Sequence, residues 1–291
     1  MDSFALARAN CLVGNPAAAA GIEIVLAGAA FTAASPTAIA VTGAPVTVSI
    51  DGQVRPMDAC LHVPFGVTIE ISRSDAGNYS YLAIAGGIST PPVFGSRSTV
   101  AREALGGLNG GPLQPGDTLP LGVPITVTPA ARTSRQLGRT HRETPQAGLL
   151  TLRFLPGIHY QRAAPGCHET LQRQEFRVSG AANRMAIPLS GSPLDTGVEQ
   201  LWSEATIYGS IQVPPSGEPL VLLNDRQTMG GYPQLGVVMP IDCVRLAQAQ
   251  AGRRIRFEAI SPDRANEILW HCNHYEATLV AALERRENLL S

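Results

Sequence analysis

The 291-residue sequence contains no lysine, so all 22 of its basic residues are arginine. This absence excludes three kinds of chemistry from the chain: a Schiff base on a lysine amine, the phosphate-binding lysine of a P-loop, and a covalently attached biotin. An anion bound here must be held by arginine side chains or by backbone amides. A genome that prefers arginine codons explains the bias, but the chemical exclusions hold whatever its origin.

Charged residues make up only 15% of the chain, its formal charge is −1, and no basic cluster occurs. This argues against a nucleic-acid surface or a polybasic membrane anchor. No apolar run approaches the roughly 20 residues that a membrane helix needs. The N-terminal segment lacks the charged and then apolar layout of a signal peptide. We therefore expect a cytoplasmic protein.

Cysteine pairs of the CxxC type are also missing. The five cysteines are odd in number and scattered, which indicates reduced thiols rather than a disulfide framework or a zinc site. They are Cys11, Cys60, Cys167, Cys243 and Cys272.

Turn-forming residues are abundant, with 29 glycines and 23 prolines spread along the chain. This composition favours many short strands over long helices. The alternating segment 67–72 and the apolar segments 79–85 and 219–223 are typical of strands. Residues 112–121 predict a turn-rich hairpin, and residues 125–128 a strand that follows it. The fold class predicted is mostly β, with barrels or sandwiches rather than a parallel sheet.

Three helices are predicted from their capping residues. Asp2 and Ser3 are expected to cap a helix at the N-terminus, and Asp242 one that ends near Gly252. Ser261, followed by Pro262, is expected to start the C-terminal helix. Its apolar face contains Ile268, Leu269, Cys272, Tyr275, Leu279 and Leu283.

Residues 129–148 differ from the rest of the chain, because they carry four arginines and few large apolar side chains. We interpret them as an exposed linker. The predicted domains are a first β lobe at 1–128, the linker at 129–148, and a second β lobe with the C-terminal helix at 149–291.

The segment Asn224–Pro233 is denser in functional groups than a turn requires. It follows an apolar strand, and functional groups often lie on loops where a rigid strand ends. Asp225 could bind a metal or act as a base, and Arg226 could hold a carboxylate or phosphate. Gly230 and Gly231 would let backbone amides approach an anion. The alternative is a hairpin turn with a salt bridge.

Three further loops carry polar groups. Gly95–Thr99 places small hydroxyl groups around Arg97, which suits an anion, although a helix cap at Ser98 or Thr99 is a strong competitor. Asn183–Met185 sets an amide beside a guanidinium. Gln212–Pro215 we interpret mainly as structural, since paired prolines fix the chain direction.

Other patterns in the sequence are weaker evidence for a functional site. Glu267, His271 and His274 lie on one helical face at a spacing that can bind zinc, but a solvated face is the more common explanation. No GxSxG, GxGxxG or P-loop pattern occurs. Residue chemistry alone thus predicts an anion-binding site of arginine, asparagine, aspartate and glycine backbone, without naming a reaction.

Several motifs in order resemble the KipA family, also called allophanate hydrolase subunit 2-like. They span most of residues 2–260, so the resemblance is far more specific than any single loop. The matching segments are Tyr81–Ile88, Pro91–Thr99, Gly106–Gly107, Leu113–Leu121, Arg153–Gly157, Asn183–Met185, Gly209–Pro215 and Asp225–Pro233.

The resemblance implies two cyclophilin-like β-barrel lobes and a complex with the A and B subunits of a 5-oxoprolinase, of which the B subunit is KipI-like. Such complexes hydrolyse 5-oxoproline to glutamate with ATP, and Mg²⁺ is possible. Asp225 and Arg184 are the expected catalytic residues, at a cleft shared with the KipI-like partner. The expected binding residues are Ser96, Arg97, Asn183, Arg226, Gln227, Thr228, Gly230, Gly231 and Tyr232.

Two alternatives remain open. The family also resembles the carboxyltransferase region of urea carboxylase, and with no lysine here any biotin would be carried by another chain. A regulatory partner that binds a KipI-like protein without catalysis is the third possibility. Members of the family usually carry a further stretch ahead of the segment that matches Met1–Leu6. Either the assigned start is late, or the first lobe lacks an edge strand.

Overall fold

The computed structural model describes residues 1–123, 148–198 and 202–274, and these form two compact units. Residues 2–123 make up the first unit and residues 148–274 the second. The prediction of a mostly β chain is confirmed. The predicted linker 129–148 lies outside the described residues except for Gly148. No helix within the described ranges is long and apolar enough to cross a membrane.

The first unit begins with helix α1 at Ser3–Leu12. Asp2 caps it as predicted, because its carboxylate accepts a hydrogen bond from the backbone N–H of Ala5 at 2.9 Å. The cap satisfies one of the N–H groups that have no partner within a helix. Ala9 and Leu12 are fully buried in a small apolar cluster with strand residues of the same unit, so the helix is held by packing as well as by its cap.

Eight strands follow α1 and form two four-stranded sheets, ordered β1-β8-β3-β6 and β2-β7-β4-β5. Exposed and buried residues alternate along strands such as Thr68–Ile71, because one face of the strand lies in the core. Ile39, Val41, Val48 and Leu82 are fully buried there. The strands are β1 (Ile22–Val25), β2 (Ala29–Thr32), β3 (Thr37–Gly43), β4 (Val48–Ile50), β5 (Gln53–Arg55), β6 (Leu61–Val63), β7 (Thr68–Ile71) and β8 (Tyr79–Ile84).

The end of the first unit is built from turns. A short 3₁₀ helix spans Ala101–Glu103. The hairpin predicted at residues 112–121 is wrong, because in this segment only Leu121 makes a β-bridge, and it does so with Ile88. Turn residues permit a hairpin but supply no partner strand. The strand predicted at residues 125–128 lies outside the described residues.

The second unit is a closed barrel of seven strands in the order β10-β11-β14-β13-β16-β9-β17. Neighbours are antiparallel except β9 and β17, which are parallel. A separate two-stranded ribbon pairs β12 with β15. The strands are β9 (Leu150–Pro156), β10 (Phe176–Val178), β11 (Ala186–Ser190), β12 (Glu204–Ala205), β13 (Ser210–Gln212), β14 (Leu220–Leu222), β15 (Met229–Gly230), β16 (Gln234–Val238) and β17 (Arg254–Ala259).

Three phenylalanines fill the barrel interior. Phe154, Phe176 and Phe257 are essentially without exposed surface. Phe257 meets the other two edge to face, with ring centroids 6.0 Å from Phe154 and 5.6 Å from Phe176. This geometry brings the positive ring edge to the negative ring face and adds to the free energy of burial.

Among the described residues, four helices pack around the barrel: α2 (Ile158–Arg162), α3 (Pro165–Arg173), α4 (Pro240–Ala247) and α5 at residues 262–274. Ser261 starts α5 as predicted, and its hydroxyl accepts from the Arg264 N–H at 3.2 Å. The predicted face positions Tyr275, Leu279 and Leu283 lie outside the described residues.

The prediction that Asp242 caps a helix was wrong. Helix α4 begins at Pro240, two residues earlier, and Asp242 lies fully buried in its first turn. Proline suits the first helical position because its φ is already helical and its missing N–H needs no partner. The Asp242 carboxylate instead binds Arg153.

Candidate functional site

The candidate site lies in the second unit, on the segment Asn224–Pro233 that follows barrel strand β14. Val221 and Leu222 of that strand are buried in the barrel, so the segment leaves a rigid support. It runs through β15 of the ribbon and returns as barrel strand β16. The backbone of the segment is therefore held at both ends by paired strands.

Arg184 and Asp225, which the sequence set apart by 41 positions, form a bidentate ion pair. Nε of Arg184 donates to Oδ2 of Asp225 at 2.8 Å, and Nη2 donates to Oδ1 at 3.3 Å. The backbone N–H of Asp225 also donates to the carbonyl of Arg184 at 3.0 Å. The side chains are 36% and 18% exposed. Two parallel hydrogen bonds at a half-buried position fix the start of the segment.

Arg226 lies beside this pair in sequence but has no ion pair among the described residues. Its Nη1 donates to the carbonyl of Leu223 at 3.4 Å, and its buried Nε has no hydrogen-bond partner. A buried donor without an acceptor costs free energy that a bound anion would recover. Arg226 is thus available to a ligand, while Arg184 is committed to Asp225.

Gln212 is a polar residue that the sequence analysis assigned mainly to structure. It is fully buried on barrel strand β13. Its Oε1 accepts from Nε2 of Gln227 at 3.3 Å, and its own Nε2 has no hydrogen-bond partner. The sequence signal was a carboxamide between two apolar residues of a strand, a position where an unpaired polar group is costly.

Gly230 lies directly over the free end of Gln212. A Cβ built on Gly230 would be 2.6 Å from Nε2 of Gln212, so a side chain at this position would displace the carboxamide. Gly230 pairs with Glu204 in the ribbon. The hydroxyl of Thr206 donates to the carbonyl of Gln227, which ties the segment to the ribbon next to Gln212.

A histidine and a glutamate join the same ribbon to the barrel. The backbone N–H of Gln234 donates to Nδ1 of His159 at 3.0 Å, so the proton of the neutral ring is on Nε2. That nitrogen lies 3.6 Å from Oε1 of Glu204. His159 is buried and Glu204 is exposed. Neither residue was singled out from the sequence, because they are 45 positions apart and belong to no common motif.

The remaining predicted residues of this unit serve mainly the local chain. The side-chain oxygen of Asn183 accepts from the N–H of Met185 at 2.8 Å, which closes its own turn. The carbonyl of Thr228 accepts from the N–H of Thr206 at 3.0 Å. Gly231 and Tyr232 are exposed at the end of the ribbon.

Ser96 and Arg97 belong to the first unit, so they are not part of the group around Gln212. Nε of Arg97 donates to the carbonyl of Thr90 at 2.8 Å, and Oγ of Ser96 accepts from the N–H of Ser98 at 3.1 Å. The guanidinium has no ion pair among the described residues and remains exposed. The competing prediction of a cap at Ser98 or Thr99 is wrong, since the short helix there starts after Val100 without a side-chain cap.

Within the three described ranges, no group of three or more His, Cys, Asp or Glu side chains is arranged to hold a metal ion. On α5, Trp270 stacks on His274 with ring centroids 5.0 Å apart. Glu267 pairs with Arg264 at 2.7 Å. The five cysteines are free thiols.

A family model described as "Carboxyltransferase domain, subdomain A and B" matches residues 1–259. The chain is 35% identical to the C subunit of 5-oxoprolinase from Escherichia coli over 266 residues, which cover 91% of this chain and 83% of that protein. It is 28% identical to "Putative urea carboxylase" of Emericella nidulans, covering 90% of this chain and 22% of that protein.

Among solved structures, the crystal structure of TTHA0988 superimposes with a TM-score of 0.77 at 33% identity. The match covers 88% of this chain and 48% of the other, so this chain spans about half the length of TTHA0988.

Proposed function

This chain belongs to the family of carboxyltransferase domains with subdomains A and B, and on that premise we propose that it is the C subunit of an ATP-dependent 5-oxoprolinase. The reaction would hydrolyse 5-oxoproline to glutamate. The observation that carries the proposal is the 35% identity to the C subunit of the E. coli 5-oxoprolinase, which extends over nearly the whole chain.

The chemistry of the substrate suits the polar groups described above. A five-membered lactam is a stabilised amide and a poor electrophile. Transfer of the γ-phosphoryl group from ATP to the lactam oxygen, with release of ADP, would make the ring carbon electrophilic. Water could then add to that carbon, and the ring C–N bond would break as its nitrogen takes up a proton and leaves as the amine. Hydrolysis of the resulting acyl phosphate by a second water would give glutamate and phosphate. Such a reaction needs anion-binding groups more than it needs a nucleophile in this chain.

Arg226, Gln227 and the Arg184–Asp225 pair have distinct roles in this proposal. Arg226 binds the substrate carboxylate, because its guanidinium is not neutralised by a neighbour. The Arg184–Asp225 pair holds the segment in place, so that Arg226 and Gln227 face the substrate from a fixed backbone. Arg97 of the first unit remains a candidate for a second anion.

The proposal includes partners. We expect the chain to be inactive alone and to act in the cytoplasm with the A and B subunits of the enzyme, the B subunit being KipI-like. The exposed guanidinium of Arg97 would suit a phosphate group of ATP, unless ATP is held by one of these partners. For Mg²⁺ we assign no ligands within the described residues, because the carboxylate of Asp225 is occupied by Arg184.

The proposal is tested by mixing this chain with the A and B subunits, ATP and 5-oxoproline, and by measuring glutamate and ADP. We expect glutamate only when all three proteins are present. Glutamate formed at an equal rate without this chain would contradict the proposal.

Arg226→Gln is the variant that tests the site. We expect it to raise the KM for 5-oxoproline about tenfold or more, because a charged hydrogen bond contributes about 1.5–3 kcal/mol. Arg177→Gln is the matched control, since Arg177 is exposed, has no ion pair among the described residues and donates to the Gly252 carbonyl at 3.3 Å. Equal effects of both variants would contradict the role of Arg226.

A carboxyltransferase is the second candidate, and the likeness to the Emericella urea carboxylase favours it. Biotin would then be carried by another chain, because this sequence has no lysine. Transfer of a carboxyl group from carboxybiotin to urea, measured with the chain present and absent, tests this candidate. Tight binding to a KipI-like protein without either reaction would favour the regulatory role.

A further inference from the structure

We propose that the free edge of the Gln212 carboxamide recognises an amide whose N–H and C=O point the same way, as they do in a lactam ring. This inference rests on the proposed function and deepens it by naming a residue that determines specificity. Gln212 is fully buried, yet its Nε2 has no hydrogen-bond partner. Buried polar groups in folded proteins are nearly always paired, so this unpaired donor is available to a ligand.

The hydrogen-bonding capacity left on Gln212 matches such an amide. Its Oε1 accepts one hydrogen bond, from Gln227 at 3.3 Å, and a carbonyl oxygen has two lone pairs. One acceptor position and the Nε2 donors therefore remain. A lactam offers a C=O acceptor and an N–H donor side by side, and the two amides can form a pair of parallel hydrogen bonds. An open-chain trans amide presents its C=O and N–H on opposite sides, so it cannot form this pair of hydrogen bonds.

The contacts of Gln227 connect this edge to the rest of the proposed site. Gln227 holds the Gln212 carboxamide and follows Arg226 directly in sequence. A molecule with a carboxylate and a lactam could thus place its carboxylate on Arg226 and its ring amide on Gln212. 5-Oxoproline has both groups.

Access to Gln212 requires movement of the ribbon. Gly230 covers Nε2 of Gln212, and β15 is joined to β12 by only two residue pairs. Short pairings of this kind open locally at a lower free energy than barrel strands do. The substrate would therefore enter when the ribbon lifts and Gly230 moves away from Gln212.

Two substitutions test the inference. Gln212→Leu removes both the donor and the acceptor at similar volume. Gly230→Ala places a methyl group where the Gln212 amide now lies, and the flexible carboxamide is displaced. Gly180→Ala is the matched control, because Gly180 is exposed, has no left-handed φ and has no atom within 4 Å of an added Cβ. Circular dichroism and urea unfolding check that each variant is folded.

The measurement compares 5-oxoproline with its lactone analogue, 5-oxotetrahydrofuran-2-carboxylate, which lacks the ring N–H. Binding is followed by calorimetry without ATP, on the full chain and on its complex with the A and B subunits. We expect the unaltered protein and Gly180→Ala to prefer the lactam about tenfold, the value of the one hydrogen bond that the lactone cannot make. Gln212→Leu and Gly230→Ala should bind both compounds equally. A merely structural Gln212 would leave the preference unchanged.

The outcomes separate this inference from the proposed function. If the complex forms glutamate but Gln212→Leu keeps the lactam preference, the inference is overturned and the function stands. If no glutamate forms, yet urea or a biotin-like cyclic urea binds in a manner that Gln212→Leu abolishes, the amide site stands and the substrate is that of a carboxyltransferase. Binding of neither the lactam nor the cyclic urea overturns the inference.

Discussion

Replacing Asp242 by alanine should destabilise the second unit more than any exposed ion pair can. Asp242 of α4 is fully buried against Arg153 of barrel strand β9. Its carboxylate accepts from the backbone N–H of Arg153 at 3.0 Å, from Nε at 2.7 Å and from Nη2 at 2.7 Å. Arg245 adds a fourth contact at 3.3 Å. The hydrogen bond to Asp242 is also the main cause of the raised pKa of the Arg153 guanidinium.

The size of the destabilisation depends on the Arg153 charge, which loses its partner in Asp242→Ala. Removing one partner of a buried ion pair costs about 3–5 kcal/mol, because the other charge stays buried without an acceptor. Arg153 is 26% exposed, so water restores part of its solvation. We therefore expect about 3 kcal/mol for Asp242→Ala, at the lower end of that range. Asp242→Asn keeps an acceptor oxygen and should cost about half as much.

Urea unfolding followed by far-UV circular dichroism measures this loss. Hydrogen exchange with mass spectrometry then locates it, and protection should fall in β9 and α4 while α1 of the first unit serves as an internal reference. Glu175→Ala is the control. Glu175 pairs with Arg254 at 3.2 Å, with exposures of 36% and 47%, so its loss should cost less than about 1 kcal/mol.

The two variants must differ for the reasoning to hold. If Asp242→Ala costs no more than Glu175→Ala, the buried pair does not hold α4 to the barrel. If protection falls equally in both units, the effect is not local to this pair.

Three further predictions concern other contacts. Asp2→Ala should lower the stability of the first unit by about 1 kcal/mol through the lost cap on Ala5, and Asp2→Asn by much less; urea unfolding that ranks them equally contradicts the cap. Burial and the Glu23 carboxylate raise the pKa of Tyr81, so its proton is retained in the folded chain when the unfolded chain releases it near pH 10. Stability of the first unit should therefore fall above about pH 10, and less so in Tyr81→Phe, as urea unfolding at pH 9 and pH 11 would test. Arg184→Ala and Asp225→Ala should each lower glutamate formation by the complex, and the double variant should show a coupling energy of at least about 0.5 kcal/mol; fully additive effects would rule out a joint role.

Local signals in the sequence predicted much of the fold. The apolar and polar alternation at residues 67–72 gave strand β7, because a half-buried strand exposes every second residue. The caps at Asp2 and Ser261 were found for a similar reason, since capping depends on residues within one turn. These features need no knowledge of distant parts of the chain.

Errors arose where a distant partner decides the structure. Asp242 has the chemistry of a helix cap, but Arg153, 89 positions earlier, takes its carboxylate into the core. Residues 112–121 have the turns of a hairpin but no strand to pair with. In both cases the local preference was compatible with the prediction, and the tertiary contact overruled it.

In the candidate site, too, local features were predicted from the sequence, and features that depend on distant contacts were not. Residues 225–232 were predicted because their functional groups are crowded into one segment. Gln212 was interpreted mainly as structural, because its contacts with Gln227 and Gly230 form only when the ribbon folds against the barrel. Its place between Ile211 and Val213 indicates a buried carboxamide, but not that its donor is unpaired.

Arg184 and Arg226 cannot be assigned different roles from the sequence, but the ion pair of Arg184 in the structure distinguishes them. Arg184 and Arg226 both follow turn residues and both suit an anion. Asp225 neutralises Arg184 through two hydrogen bonds, so a bound anion would gain little from that charge. Arg226 has a buried Nε without an acceptor, and Gln212 has a buried Nε2 in the same condition. Because leaving buried donors unpaired is costly, a ligand whose two oxygen acceptors reach both groups would recover free energy from each of them.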